Sequence, residues 1–136
     1  MSSLRAMAWF RIGTLGFRMG VKGIGPYVQW RMLRLYGLDM IPGNLIGGGL
    51  YIPHTVGCTI VVERMGENVT VIGASTFGMR ETLEWPIVGD SVFVGVGSRV
   101  LGGITLGDNA KIGAGSVVLI DVPAGATAVG IPARII

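Results

Sequence analysis

From Val88 onward an aliphatic residue returns every six positions, at Val88, Val94, Val100, Leu106, Ile112 and Val118. Glycine follows four of them, as Gly89, Gly95, Gly107 and Gly113. Four places after each stands a small or apolar residue: Val92, Ser98, Ile104, Ala110, Ser116, Val122. An α-helix repeats near 3.6 residues and an ordinary strand near 2, so a strict six fits neither. A hexapeptide period is the pattern of a parallel β-helix. Three hexapeptides to a turn make a triangular coil, with a short strand on each side and a bend at each corner. The recurring aliphatics then point inward and stack at the strand spacing of about 4.8 Å. Each contributes roughly 1.5–3 kcal/mol through burial. The small residues are expected at bends that a Cβ would strain.

The beat is present earlier in the chain but less regular. It runs through Ile46, Ile52 and Cys58, slips, and resumes at Met65, Val71 and Phe77. On this phase Cys58 is a small inward-facing hydrophobe. Between Phe77 and Val88 lies an eleven-residue interval containing Met79–Pro86. This polar stretch breaks the register and reads as a loop pushed out of the coils, where solenoids often carry function. Residues 86–122 give two clean turns. Residues 123–136 read as a closing segment, with Pro132 limiting further ladder bonding. The flat lateral faces of such a prism favour closed cyclic assembly.

Charge divides the chain in two. Residues 1–38 hold Arg5, Arg11, Arg18, Lys22, Arg31 and Arg34 and no acid, a charge of +6. Residues 39–136 hold eight acids against five bases, a charge of −3. No uncharged run in the first part approaches the ~20 residues that span a bilayer. The unbroken apolar core of a signal peptide is also missing, so a cytoplasmic protein is expected. The segment 1–38 reads as irregular helix, broken by Gly13, Gly16, Gly20, Gly23, Gly25 and Pro26. Its best helical piece is Tyr27–Tyr36, where Val28, Met32, Leu35 and Tyr36 share a face and Gly37 is the stop. Two readings stand for it. One is a cap over the first coil, which solenoid ends require. The other is a membrane-surface element with Trp9, Phe10, Phe17 and Trp30 as anchors, peripheral at the inner face of the membrane. Basic residues form no stripe along the remainder, so nucleic acid is not an expected partner.

With one histidine, His54, and one cysteine, Cys58, neither a disulfide framework nor a His/Cys zinc site is expected, and no metal is assigned. No phosphate-binding loop of the G-x-x-x-x-G-K-[ST] type is present.

The segments GLDMIPGNLIGGGLYIPHTVGCTIVV (37–62), ENVTVIGASTFGM (67–79) and VGDSVFVGVGSRVLGGITLGDNAKIGAGSVVLIDVPAGATAVGIPARII (88–136) resemble the serine acetyltransferase branch of the hexapeptide-repeat acyltransferases. The resemblance implies an all-β solenoid over residues 39–136, a left-handed parallel β-helix preceded by the short helical segment 1–38. It implies acetyl transfer from acetyl-CoA to a hydroxyl, in a homotrimer with active sites between subunits. His54 matches the family's general base and Asp39, fifteen residues earlier, the aspartate that orients it. An imidazole can take the proton of a hydroxyl, a poor nucleophile on its own, and a carboxylate would fix the ring's tautomer. Positions matching the CoA groove are Gly78, Val96, Gly97, Ala114, Thr127 and Arg134, with Arg99 and Lys111 as further phosphate partners.

The chain departs from the family's pattern around the acceptor. Pro53 replaces the aspartate that precedes the base, and Glu84-Trp85 replaces an Arg-His pair before Pro86. An acidic Glu84 would repel the carboxylate of serine, and Trp85 offers a flat apolar face. The expected acceptor is therefore a hydroxyl of a small molecule or a sugar or polysaccharide intermediate. A true serine O-acetyltransferase is the second reading, and a non-catalytic trimeric scaffold the third.

Overall fold

A computed structural model describes residues 2–136, so Met1 of the basic segment lies outside the described residues. Helices α1 (Ser2–Arg18) and α2 (Ile24–Tyr36) lead into short strands. These are β1 (Leu38–Met40), β2 (Leu45–Ile46), β3 (Cys58–Ile60), β4 (Arg64–Met65), β5 (Thr70–Val71), β6 (Thr76–Gly78) and β7 (Ile87–Val88). They continue as β8 (Phe93–Val94), β9 (Arg99–Leu101), β10 (Thr105–Leu106), β11 (Lys111–Ile112), β12 (Val117–Val118), β13 (Thr127–Gly130) and β14 (Ala133–Ile135). The strands stack into three parallel faces of a β-solenoid. The first face is β1-β3-β6-β9-β12, the second β2-β4-β7-β10, and the third β5-β8-β11-β13 with β14 at its edge.

Register explains the six-residue beat. Val88, Val94 and Val100 pair with Leu106, Ile112 and Val118, eighteen residues on, which is three hexapeptides. Three inward columns result, all buried. They are Met40–Ile60–Phe77–Val100–Val118, Ile46–Met65–Val88–Leu106, and Val71–Val94–Ile112–Ala128. One expected member changes. Ile60 faces Phe77, whereas Cys58 pairs with Leu38. The interval from Ile52 to the next inward residue is thus eight rather than six, because the corner bearing His54 is longer. Cys58 is buried as expected, but at the level of the corner serines Ser75, Ser98 and Ser116. The hydroxyls of Ser75 and Ser98 donate to the Gly73 and Gly95 carbonyls at 3.0 and 2.8 Å.

The corner glycines answer two needs, one of them not foreseen. A Cβ on Gly47 would lie 2.5 Å from the Gly66 carbonyl oxygen, and one on Gly107 2.5 Å from the Ala124 nitrogen. At these positions the constraint is the close approach of successive coils, whereas Gly97 and Gly115 hold the left-handed bends expected of corners, at φ 73° and 68°.

Gly13 and Gly16 do not break α1. A Cβ at Gly13 would lie 2.8 Å from Val28 Cγ1, and one at Gly16 2.9 Å from Ile24 Cγ1. Both are contact points where α2 lies against α1. The break falls at Gly20–Gly23, and Gly25 and Pro26 sit in the first turn of α2, where proline's missing N–H is no loss. Val28 and Met32 are buried, but Leu35 is exposed, unlike the expected shared face. Gly37 ends α2 with φ 63° and donates to the Leu33 carbonyl.

The first coil has no coil before it to satisfy its backbone, and α1 supplies the partners. Arg11 donates to the Ile46 carbonyl at 2.6 Å and also to the Gly47 carbonyl. Thr14 Oγ1 accepts from the Gly43 N–H at 3.2 Å, and Ser3 Oγ from the Ile52 N–H at 3.4 Å. Ala6 and Phe10 are buried in the common core. Capping of the first coil is therefore what the structure shows for this segment. At the other end β14 turns back antiparallel on β13 through a hairpin holding the cis Ile131–Pro132 bond, which ends the parallel ladder.

Gly13→Ala is expected to force the two helices apart against the stiff Val28 side chain and to cost about 1–3 kcal/mol of stability. Urea unfolding measures this; an unchanged midpoint would contradict the close helix contact.

Candidate active site

The residues expected to do chemistry lie mainly along one edge, where the third face meets the first. His54 stands near its upper end, bridged to Gly73 on the next coil, with its N–H donating to the Ile72 carbonyl at 3.3 Å. Its side chain is exposed. Its neighbours hold it there. Buried Thr55 donates its hydroxyl to the Tyr36 carbonyl at 2.8 Å, and the Gly57 N–H donates to the Gly37 carbonyl at 2.9 Å. Both bonds tie the His54 corner to the turn between α2 and β1. Asp39 is the second residue of β1, so the fold carries it to the same edge one coil away.

The two side chains share no hydrogen bond among the described residues. Half-buried Asp39 instead accepts from Gln29 Nε2 on α2, at 2.7 Å to Oδ1. An ionised carboxylate has about four lone-pair sites, so this bond fixes the group and leaves capacity for an imidazole N–H. Opposite His54, Gly73 leaves room for it: a Cβ there would lie 2.9 Å from the His54 Cβ and 2.8 Å from its carbonyl oxygen.

Below His54 the edge is a strip of small residues. The Gly97 N–H donates to Gly73 at 2.9 Å, and the Gly115 N–H to Val96 at 2.8 Å, which stacks Gly73–Ala74, Val96–Gly97 and Ala114–Gly115. Val96 and Ala114 are exposed. Such a strip lets an extended ligand lie close to the backbone. Ala74 holds a left-handed conformation, φ 48°, which costs a residue with a Cβ some energy. Arg99 braces it, its Nη1 donating to the carbonyls of Ala74, Gly97 and Ser98 at 2.9, 3.0 and 3.2 Å. Arg99, expected as a phosphate partner, is thus engaged with its own edge. Lys111 and Thr127 are register partners on the third face, and exposed Arg134 pairs with Val129. Both cations lie toward the lower end of the strip.

Three expected residues are not on this edge. Gly78 ends β6 at the far edge of the first face, beside Leu101. Glu84 and Trp85 lie beyond it in the Met79–Pro86 stretch, which forms the loop the broken register predicts and is exposed from Met79 to Glu84. Glu84 accepts from the Thr82 hydroxyl at 2.8 Å and lies against Gly103, and Trp85 is half-buried. Pro53 adjoins His54. Between the two edges runs a three-residue strand, about 10 Å of chain at 3.3 Å per residue. A single chain therefore separates Glu84 and Trp85 from His54.

Gln29, Thr55 and Gly73 were not visible as site residues in the sequence. Gln29 had one weak signal, a polar residue between the buried helix positions Val28 and Met32.

Residues 86–119 match the family model described as bacterial transferase hexapeptide (six repeats). A serine acetyltransferase of Buchnera aphidicola is 32% identical over 100% of this chain and 52% of its own length. One of Helicobacter pylori is 42% identical over 74% of this chain and 61% of its own length. The chain thus spans little more than half the length of these relatives. Among solved structures, the soybean serine acetyltransferase apoenzyme superposes with a TM-score of 0.94 at 34% identity, over 100% of this chain and 58% of that one. A serine acetyltransferase in complex with CoA gives 0.92 at 33% identity, over 100% and 57%. The superposition takes in the helices as well as the coils.

His54 is the chain's one histidine, so its imidazole protons report on this corner without ambiguity. Gly73→Ala is expected to displace the ring and shift its Cε1–H resonance while the core methyl signals stay in place. An unmoved imidazole signal would mean that Gly73 does not set its position.

Proposed function

The chain is a serine acetyltransferase-like member of the hexapeptide-repeat transferases, and on that premise we propose that it transfers an acetyl group from acetyl-CoA to a hydroxyl. The observation that carries this reading is the placement of exposed His54 at the head of a strip of small residues, with Asp39 one coil away. An imidazole nitrogen of His54 takes the acceptor's proton as its oxygen attacks the thioester carbonyl carbon. The tetrahedral intermediate collapses, the C–S bond breaks, and the leaving thiolate takes the proton back from the imidazolium. Asp39, held by Gln29, steadies the ring and its positive charge. The pantetheine arm would lie along Val96, Gly97 and Ala114 beside Thr127, with Arg134 and Lys111 offered to the phosphates.

A homotrimer would complete the site. In one chain Glu84, Trp85 and Gly78 belong to the edge opposite His54, and a neighbouring copy can bring its own loop to that edge. The relatives favour serine as the acceptor, the reading placed second on sequence grounds, over a saccharide. The saccharide reading keeps one support of its own, the half-buried ring of Trp85 beside Glu84 where the family's Arg-His pair stands.

An acceptor screen that follows thiol release from acetyl-CoA tests both levels. Turnover with L-serine supports the serine reading; turnover with sugars alone would replace it. His54→Ala is expected to lower kcat with the true acceptor by about 10²–10⁴-fold, the usual worth of a general base. A His54→Ala protein with normal kcat would remove the mechanism, and absence of CoA binding by calorimetry would leave a scaffold. Asp39→Asn is expected to lower kcat by a smaller factor with little change in the KM for acetyl-CoA.

A further inference from the structure

The helices that cap the solenoid turn an apolar face outward. Leu4, Ala8, Ile12 and Leu15 on α1, and Met19 just past its end, follow one another at three- and four-residue steps along the exposed side. This is the side opposite the buried Ala6, Phe10, Gly13 and Thr14. Leu4 is 79% exposed, Leu15 60% and Met19 71%. On α2, Tyr27, Trp30 and Leu33 are exposed on the face away from Val28 and Met32. A monomeric soluble surface rarely presents a continuous apolar stripe of this kind without a use.

Charge states what covers it. Arg5 flanks the α1 stripe on one side and Arg18 on the other, with Lys22 in the turn, and all three are exposed. On α2 the Arg34 guanidinium lies 5.4 Å from the Trp30 ring centroid. No acid stands anywhere in residues 1–38. A second copy docking here would bring two faces of the same strong charge together. The match is a surface that is apolar within and anionic at its rim. No helix among the described residues is long and apolar enough to cross a membrane, so these helices would lie in the plane of the interface. Tyrosine and tryptophan suit that depth, with an apolar body and a polar edge.

We infer that the outer face of α1 and α2 docks on an anionic lipid bilayer, the apolar stripe entering the headgroup boundary and Arg5, Arg18 and Lys22 meeting lipid phosphates. The surface is separate from the His54 edge and does not depend on the transferase reading.

Co-sedimentation of the whole protein with vesicles tests this. One set is phosphatidylcholine alone; the other contains about one-third phosphatidylglycerol, which supplies anionic headgroups. Stronger partitioning onto the anionic set is expected, weakening as salt rises from about 0.05 to 0.5 M. Ile12→Glu with Leu15→Glu should remove binding. Arg5→Gln with Arg18→Gln should reduce it roughly tenfold or more on anionic vesicles, at about 1 kcal/mol per basic residue. Ile120→Glu, an exposed apolar position on the solenoid, should leave it unchanged. Circular dichroism confirms that each variant keeps its helices. Equal binding to both vesicle sets, or none to either, overturns the proposal. So does an assembly whose mass halves in the Ile12→Glu, Leu15→Glu variant without lipid, which would assign the face to a second copy. Vesicle binding is read without acetyl-CoA, so its failure leaves the proposed transfer reaction untouched.

Discussion

Everything in this protein hangs on backbone hydrogen bonds that run from coil to coil rather than within a strand. A strand of two or three residues holds nothing alone; it is fixed only because the coil above and the coil below present matching carbonyls and N–H groups. That dependence dictates the corners. Successive coils approach so closely that a Cβ on Gly47 or Gly107 would strike the backbone of the next coil. The same dependence dictates the ends, since the first coil has backbone groups facing no further coil. Buried, unpaired groups of this kind are costly. Arg11, Thr14 and Ser3 supply the missing partners from α1, and the β13–β14 hairpin closes the opposite end. The helices are thus part of the solenoid's hydrogen-bond system.

A ladder of this kind takes changes of length at its corners. Inward residues are locked by three buried columns, and the residues flanking them by register. Extra length can leave only where the chain bends. It does so at two places: the lengthened corner carrying His54, and the Met79–Pro86 loop. The two lie at opposite edges of the first face. The regular coils are a frame, and individuality is confined to edges that one chain keeps apart.

How much of this was legible follows from which contacts are local in sequence. The columns through Val88–Val118 repeat every six residues, and the pattern is dense enough to read without a structure. The loop was readable because it interrupts that pattern. Where the pattern thins, register cannot be read: Cys58 kept the beat numerically, yet Ile60 occupies the column, since nothing in the sequence says where the two extra residues of the His54 corner fall. Gly13 and Gly16 looked like helix breakers because the reason for them, the side chains of Val28 and Ile24, lies on another helix. Gln29 was missed, and the bond of Arg99 to Ala74 was not foreseen, for the same reason: each acts through a carboxylate or carbonyl distant in sequence. Gly78 was grouped with Val96 and Ala114 by motif, and only the topology separates the two edges of one face.

The cap and the candidate site are closer than the sequence suggested. Gln29 belongs to α2, whose outer surface carries Tyr27 and Trp30 and whose inner surface packs through Val28 and Met32. Its amide reaches Asp39, the carboxylate on the His54 edge. Directly past the end of the same helix, Gly37 and Leu38 begin the first coil, and the Tyr36 and Gly37 carbonyls receive Thr55 and Gly57 from the corner that bears His54. The position of Asp39 relative to His54 is therefore set by how α2 sits on the solenoid, through three hydrogen bonds rather than through the coils alone. The regular repeat can build the strip below His54 unaided, but the upper end of that strip, where the imidazole and carboxylate stand, takes its shape from the helix that covers it.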